Sequence, residues 1–167
     1  MRILMLMPLY KHMDAHCVIS LLDFVQNVTA DGHVAKITFT NGFNAAKARK
    51  ALMLYAAEHS ADFDYVLWLD SDHIYKTENL YKLIDRMRSE NLKMLSATYT
   101  LHGSPETAHG TVENDKFRHF EQKELGESVI DCTVVGFGFL VMTSQFAKEM
   151  HDKFGEKLFI LDAKENC

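Results

Sequence analysis

The feature that most constrains this chain is the run Tyr65-Val66-Leu67-Trp68-Leu69, which ends in Asp70-Ser71-Asp72. Its residues are apolar without alternation, the pattern of a strand covered on both faces. Such a strand belongs to a sheet with helices above and below it, which the rest of the chain must supply. The carboxylates at its end raise a second demand. Two carboxylates held beside one another and out of water need a positive partner: a basic side chain, a helix N-terminus or a metal ion.

The flanking segments alternate as a covered sheet requires. Residues 2–10 read as a first buried strand, interrupted by Pro8. Asp14 is placed to cap a helix over 15–28, with Val18, Leu21, Leu22 and Val25 on one face. The turn Ala30-Asp31-Gly32-His33 leads to a second strand over 34–40, broken at 41–44. Asn44 caps a helix over 45–60 whose stripe is Ala48, Leu52, Tyr55 and Ala56. After the opening strand, Thr77 caps a third helix over 78–91 with Leu80, Leu83, Ile84 and Met87 facing inward, and residues 93–100 form a further strand. This order predicts an α/β fold: a mostly parallel central sheet with helices on both faces.

Beyond it, residues 101–128 are polar and loop-like, with one strand at most. Residues 128–143 read as one bent strand or two short ones around Gly136 and Gly138, followed by an amphipathic helix over 144–155. With 167 residues and no repeat, low-complexity tract or linker, the chain is expected to form a single domain.

Composition narrows the function classes. Apolar residues make up 47% and charged residues 25%, as in a globular protein. The net charge of −5 offers no basic footprint for nucleic acid, but a nucleotide carried on a divalent cation is compatible with it. Cys17, Cys132 and Cys167 make an odd set without zinc-type spacing and fit a reducing compartment. The N-terminal apolar run is too short for a signal peptide, and no run approaches the ~20 apolar residues of a membrane helix. A cytoplasmic protein without a membrane span is the expectation.

In open α/β sheets, ligands bind beyond the carboxyl ends of the strands, where Asp70 and Asp72 stand. Two residues apart on an extended chain, both can point from one side. Hard oxygen donors suit Mg²⁺ or Mn²⁺, which also accept phosphate oxygens. The blander alternative is a capping pair in a solvated loop. The strong apolar strand, the dyad's place in the third βα unit and an Arg-bearing helix just before the strand favour the metal.

The segment from Asn44 to Met87, with Leu67-Trp68-Leu69-Asp70-Ser71-Asp72 at its centre, resembles the core of the GT-A glycosyltransferases, family-2-like and D-x-D containing. In them a helix with an Ala-Arg-Asn-like segment precedes a strand ending in D-x-D. Residues 96–106 correspond to the donor- and acceptor-facing loop, and 134–150 resemble the Gly-rich strand and following helix, so the likeness covers most of the chain.

The resemblance implies a single GT-A domain over 1–167, with a nucleotide-binding half at 1–100 and an acceptor half at 101–167. It implies metal-dependent transfer of a sugar from a nucleotide-diphosphate donor, UDP favoured, to an acceptor hydroxyl, with inversion. Asp70 and Asp72 would hold Mn²⁺ or Mg²⁺ and the diphosphate, with Ser71 in the same loop. Pro8, Leu9, Tyr10 and Thr40 would line the nucleotide pocket, and Arg49 would reach the nucleotide or the D-x-D loop. Gly136, Phe137 and Gly138 would floor the sugar site. Lys50 stands where the family has Asn. No acidic motif follows the last helix, so Asp162, Glu165 and Asp131 are the remaining candidates for a base. Either the chain is part of a longer protein or the base comes from elsewhere.

Nine histidines form no zinc motif. His73 is placed to touch a phosphate, His12 and His16 share a helical face if that stretch is helical, and His102 and His109 lie in the polar segment. Two competing functions use the same dyad. A haloacid-dehalogenase-like phosphatase also places D-x-D after an apolar strand, but on its first strand. A non-catalytic nucleotide-sugar-binding module would keep the dyad and lack the base.

Overall fold

Alternate residues of the first strand serve two different cores. In β1 (Arg2–Leu9), Ile3, Met5 and Met7 face one side of the sheet, and Leu4 and Leu6 face the other; all five are fully buried. The computed structural model describes residues 1–9, 12–41, 44–101, 104–114, 116–126 and 128–159. Tyr10, His102, Asp162, Glu165 and Cys167 lie outside the described residues.

β1 pairs in parallel with β2 (Val34–Asn41) and with β3 (Tyr65–Leu69). β7 (Phe139–Thr143) inserts antiparallel between β3 and β4 (Met94–Ser96), giving the order β2-β1-β3-β7-β4. The sheet is thus mostly parallel. Helices α1 (Ala15–Ala30) and α3 (Thr77–Ser89) close the core containing Ile3, Met5 and Met7. α2 (Ala45–Glu58) and α4 (Ser144–Phe154) close the core containing Leu4, Leu6 and Trp68. All five residues of β3 are buried, as its unbroken apolar run requires. No described helix is long and apolar enough to cross a membrane.

Local capping chemistry starts α1 and α2 where the sequence places it, but α3 is a correction: Thr77 is its first residue rather than its cap, and Lys76 before it makes no side-chain cap hydrogen bond. Asp14 accepts from the His16 backbone N–H at 2.8 Å, and Asn44 from that of Lys47 at 2.9 Å. α1 turns inward a face that keeps Leu21 and, partly buried, Val25 of the four expected residues. Cys17, Leu21, Phe24 and Val28 are buried, while Val18 and Leu22 face outward. Apolar residues surround this helix, so two phases satisfy its periodicity, and packing of Phe24 against Tyr75 and Phe139 selects one.

Two further expectations are corrected. The polar segment after β4 holds not one strand at most but a hairpin, β5 (Glu106–Glu113) and β6 (Lys116–Glu121), with Asn114 at φ 51° in the turn. Residues 128–138 contain no strand beyond an isolated bridge from Val134 to Gly110, and β7 begins after Gly138.

The hairpin is tied to the sheet by His109, which is buried and shares a hydrogen bond of 3.0 Å from Nε2 to Ser96 Oγ. Burial pushes the His109 imidazole below its ordinary value of 6.5. The unfolded chain therefore binds the extra proton first as pH falls. The contribution is complete above about pH 6.5 and is lost as pH falls through the folded value. Thermal unfolding followed from pH 8 to 5 should show a steeper acid loss in the wild type than in His109→Gln.

Candidate active site at the carboxyl end of the sheet

Leu69 ends β3 among buried neighbours, and the chain then turns into a loop whose backbone is held from two sides. The Asp70 N–H donates to the Gly138 carbonyl at 3.2 Å. The Asp70 carbonyl accepts the Tyr75 hydroxyl, and the Tyr75 N–H donates to Ser20 Oγ at 2.5 Å. Burial keeps the Tyr75 phenol far above the ordinary range, so it stays a donor. Arg49 Nη2, from α2, meets Asp70 Oδ1 at 3.2 Å. The positive partner that Asp70 requires is therefore a basic side chain.

Asp72 differs. Its side chain is 78% exposed, and its carboxylate Oδ1 lies 2.9 Å from His73 Nδ1. Asp70, Asp72 and His73 each offer a ligand atom, all within 4.8 Å of one another. One carboxylate is fixed and paired; the other is open to solvent.

A cavity of about 200 Å³ lies against this loop, lined by Pro8, Leu9, Ala48, Arg49, Asp70 and Asp72, together with Ala45 and Ser71. Thr40 stands opposite Pro8 in the parallel register, and its Oγ1 is buried without a partner among the described residues. Arg49 Nε is likewise buried and unpartnered. The Arg49 guanidinium sits 5.3 Å from the Phe137 ring, which packs edge-on against Trp68.

Gly136 and Gly138 have a neighbour that the sequence did not disclose. A Cβ on Gly138 would fall 2.7 Å from Tyr99 Cζ; one on Gly136 would fall 2.8 Å from the same atom and 2.7 Å from Ala108 Cβ. The space that glycine leaves here is filled by Tyr99, whose hydroxyl accepts the Gly138 N–H at 2.8 Å. Gly136→Ala is expected to lower stability by about 1–3 kcal/mol, the usual cost of overpacking. Urea unfolding would show it, and the cost should shrink in a Tyr99→Leu background.

Asp131 is exposed and lies in irregular chain, not inside a strand. It lines a second cavity of about 800 Å³ between α3, β4 and the segment before β7, and that cavity shares no lining residue with the first. His12 precedes the Asp14 cap and His16 lies in the first turn of α1, so no helix carries both. Sequence reasoning missed the roles of Tyr75 and Tyr99. The Gly-x-Gly spacing signals that something approaches closely, but not what.

The sequence pattern of glycosyl transferase family 2 matches residues 16–144, from α1 to the first residue of α4. No curated protein matches the chain. Among solved structures, A197 from STIV aligns with TM-score 0.59 at 17% identity, over 89% of this chain and 68% of that one. A glycosyltransferase involved in the glycosylation of the major capsid of PBCV-1 aligns with TM-score 0.37 at 14% identity, over 90% of this chain and 66% of its own. The chain thus spans about two thirds of the length of each. The likeness to A197 is one of fold. The family pattern covers well over half of the chain and sets the phosphatase reading aside. The chain belongs to glycosyl transferase family 2 and is a glycosyltransferase of the GT-A fold.

Proposed function

We propose that this enzyme transfers a sugar from a UDP-sugar to an acceptor hydroxyl, with inversion, using Mn²⁺ or Mg²⁺ held at Asp70 and Asp72. One observation carries the reading. Residues from β1, α2 and the loop after β3 converge on a single cavity beyond the carboxyl ends of the strands, with the Asp70–Asp72–His73 group at its edge.

The donor set fits a small divalent ion. Two carboxylates supply hard oxygens, and one imidazole adds a nitrogen donor compatible with Mn²⁺. Arg49 Nε and Thr40 Oγ1, buried and without partners among the described residues, are further polar atoms for which a bound nucleotide can supply partners. When bound, the metal offers Lewis-acid neutralisation of the departing diphosphate.

The chain's own residues do the positioning. Pro8 and Leu9 present an apolar surface to the base and ribose, and Thr40 flanks them. Arg49 holds the Asp70 carboxylate in one orientation and offsets part of the site's negative charge. Asp72, already solvated, changes environment at little desolvation cost. Residues 1–100 serve the nucleotide, and 101–167 serve the acceptor. Inversion requires a carboxylate to take the acceptor proton as an oxocarbenium-like centre forms. Asp162 and Glu165 remain the candidates for that base; Asp131, on the other cavity, is the weaker one.

The reading is tested by incubating the protein with a panel of UDP-sugars and measuring UDP release with Mn²⁺ and with EDTA. Release that EDTA abolishes supports it. Release of equal size in EDTA would contradict the metal's role, and no release from any UDP-sugar, with GDP release from GDP-sugars, would contradict the choice of base.

A further inference from the structure

We propose that Tyr99 is the positioning residue of this centre, holding His73 against Asp72 so that the imidazole serves as a third metal ligand; the proposal rests on the metal-dependent reading above. Four observations converge on it. The Tyr99 and His73 rings meet edge to face, with centroids 4.8 Å apart and planes at 88°. His73 is thereby held on one side by an aromatic ring and on the other by the Asp72 carboxylate at 2.9 Å. Oδ1 and Nδ1 are thus near enough for one divalent ion to take an oxygen from Asp72 and, once the imidazole gives up its Nδ1 proton, a nitrogen from His73.

The third observation is the glycine slot. Side chains at residues 136 and 138 would occupy the volume of the Tyr99 ring, and a Cβ on Gly138 would also lie 3.0 Å from His73 Cε1. The two glycines therefore admit both rings at once. Fourth, the same tyrosine reaches the other arm of the site. Its hydroxyl accepts the Gly138 N–H, and the Gly138 carbonyl accepts the Asp70 N–H. Tyr99 thus braces His73 through its ring and Asp70 through its hydroxyl.

A partner that orients a metal ligand commonly accounts for ten- to a hundredfold of affinity. Its ring and its hydroxyl predict separable effects. Tyr99→Phe keeps the face that supports His73, and Tyr99→Leu fills space without a flat ring.

The test is pulsed electron paramagnetic resonance of Mn²⁺ with UDP on the wild type, His73→Ala, Tyr99→Phe and Tyr99→Leu, with Mn²⁺ affinity measured on the same samples. The wild type should show nitrogen modulation from a coordinated imidazole, which changes isotope signature when the protein is labelled with ¹⁵N-histidine. His73→Ala should lose it. Tyr99→Phe should keep it with affinity within about threefold, and Tyr99→Leu should lose it with an affinity about tenfold weaker. Circular dichroism on each variant separates this from unfolding. Mn²⁺ bound through Asp72 without nitrogen modulation in the wild type would overturn the role of His73 and Tyr99 while leaving the metal-dependent reading intact. Modulation that persists in Tyr99→Leu would overturn Tyr99 alone. A wild type that binds no Mn²⁺ with UDP would overturn both.

Discussion

Asp72→Ala is expected to lower kcat/KM for sugar transfer by at least about a hundredfold, while its melting temperature stays close to that of the wild type. The first half follows from the proposed metal role: an electrostatic group aimed at the leaving charge is commonly worth two to three orders of magnitude. The second follows from exposure. The Asp72 side chain is 78% exposed, so its removal costs the fold little. Steady-state kinetics and a thermal scan on the same preparation check both halves. A variant that melts early would instead place Asp72 among the structural residues.

Trp68→Ala is expected to act in the opposite way, lowering stability by about 3–5 kcal/mol. Trp68 is fully buried in the core between the sheet and helices α2 and α4, edge-on to Phe137 at 5.3 Å and to Phe159 at 6.1 Å. Its indole Nε1 has no hydrogen-bond partner among the described residues, so the side chain contributes through packing. Trp68→Phe should therefore cost much less, about 1–2 kcal/mol, because it forfeits volume but no hydrogen bond. Urea unfolding with an unchanged m-value would register both figures. Trp68 also backs Phe137, which lies under the Arg49 guanidinium, so a folded Trp68→Ala should bind nucleotide more weakly as well.

Much of this architecture is legible in the sequence, and the reasons are local. Asp14 and Asn44 cap their helices with short polar side chains just before an apolar period, and this chemistry acts within three residues. The covered strand β3 was legible because burial on both faces leaves an unbroken apolar run. The β5–β6 hairpin was not legible. Val112 and Phe117 pair across it while largely exposed, and neither strand shows a continuous apolar face. Nor could the sequence place β7 between β3 and β4, because its hydrophobicity is the same whether it runs parallel or antiparallel.

The candidate site divides along the same line. Asp70, Asp72 and Arg49 stand out in the sequence because a carboxylate pair at a strand end and a cation one helix earlier form a local pattern, and the structure joins Arg49 to Asp70. Tyr75 and Tyr99 were missed because their roles depend on tertiary approach. Tyr75 reaches a backbone carbonyl five residues back, and Tyr99 fills a slot made by glycines almost forty residues later. The sequence reads Gly136 and Gly138 as a place of close approach, and the structure adds that Tyr99 is a side chain they admit.

Calorimetric titration of UDP into the wild type and Asp72→Ala, with and without Mn²⁺, decides whether Asp70 and Asp72 complete a metal–diphosphate site. Binding should require Mn²⁺, exceed that of GDP and disappear in Asp72→Ala. UDP binding of equal strength without Mn²⁺, or unchanged in Asp72→Ala, would contradict it and return the two aspartates to a solvated loop.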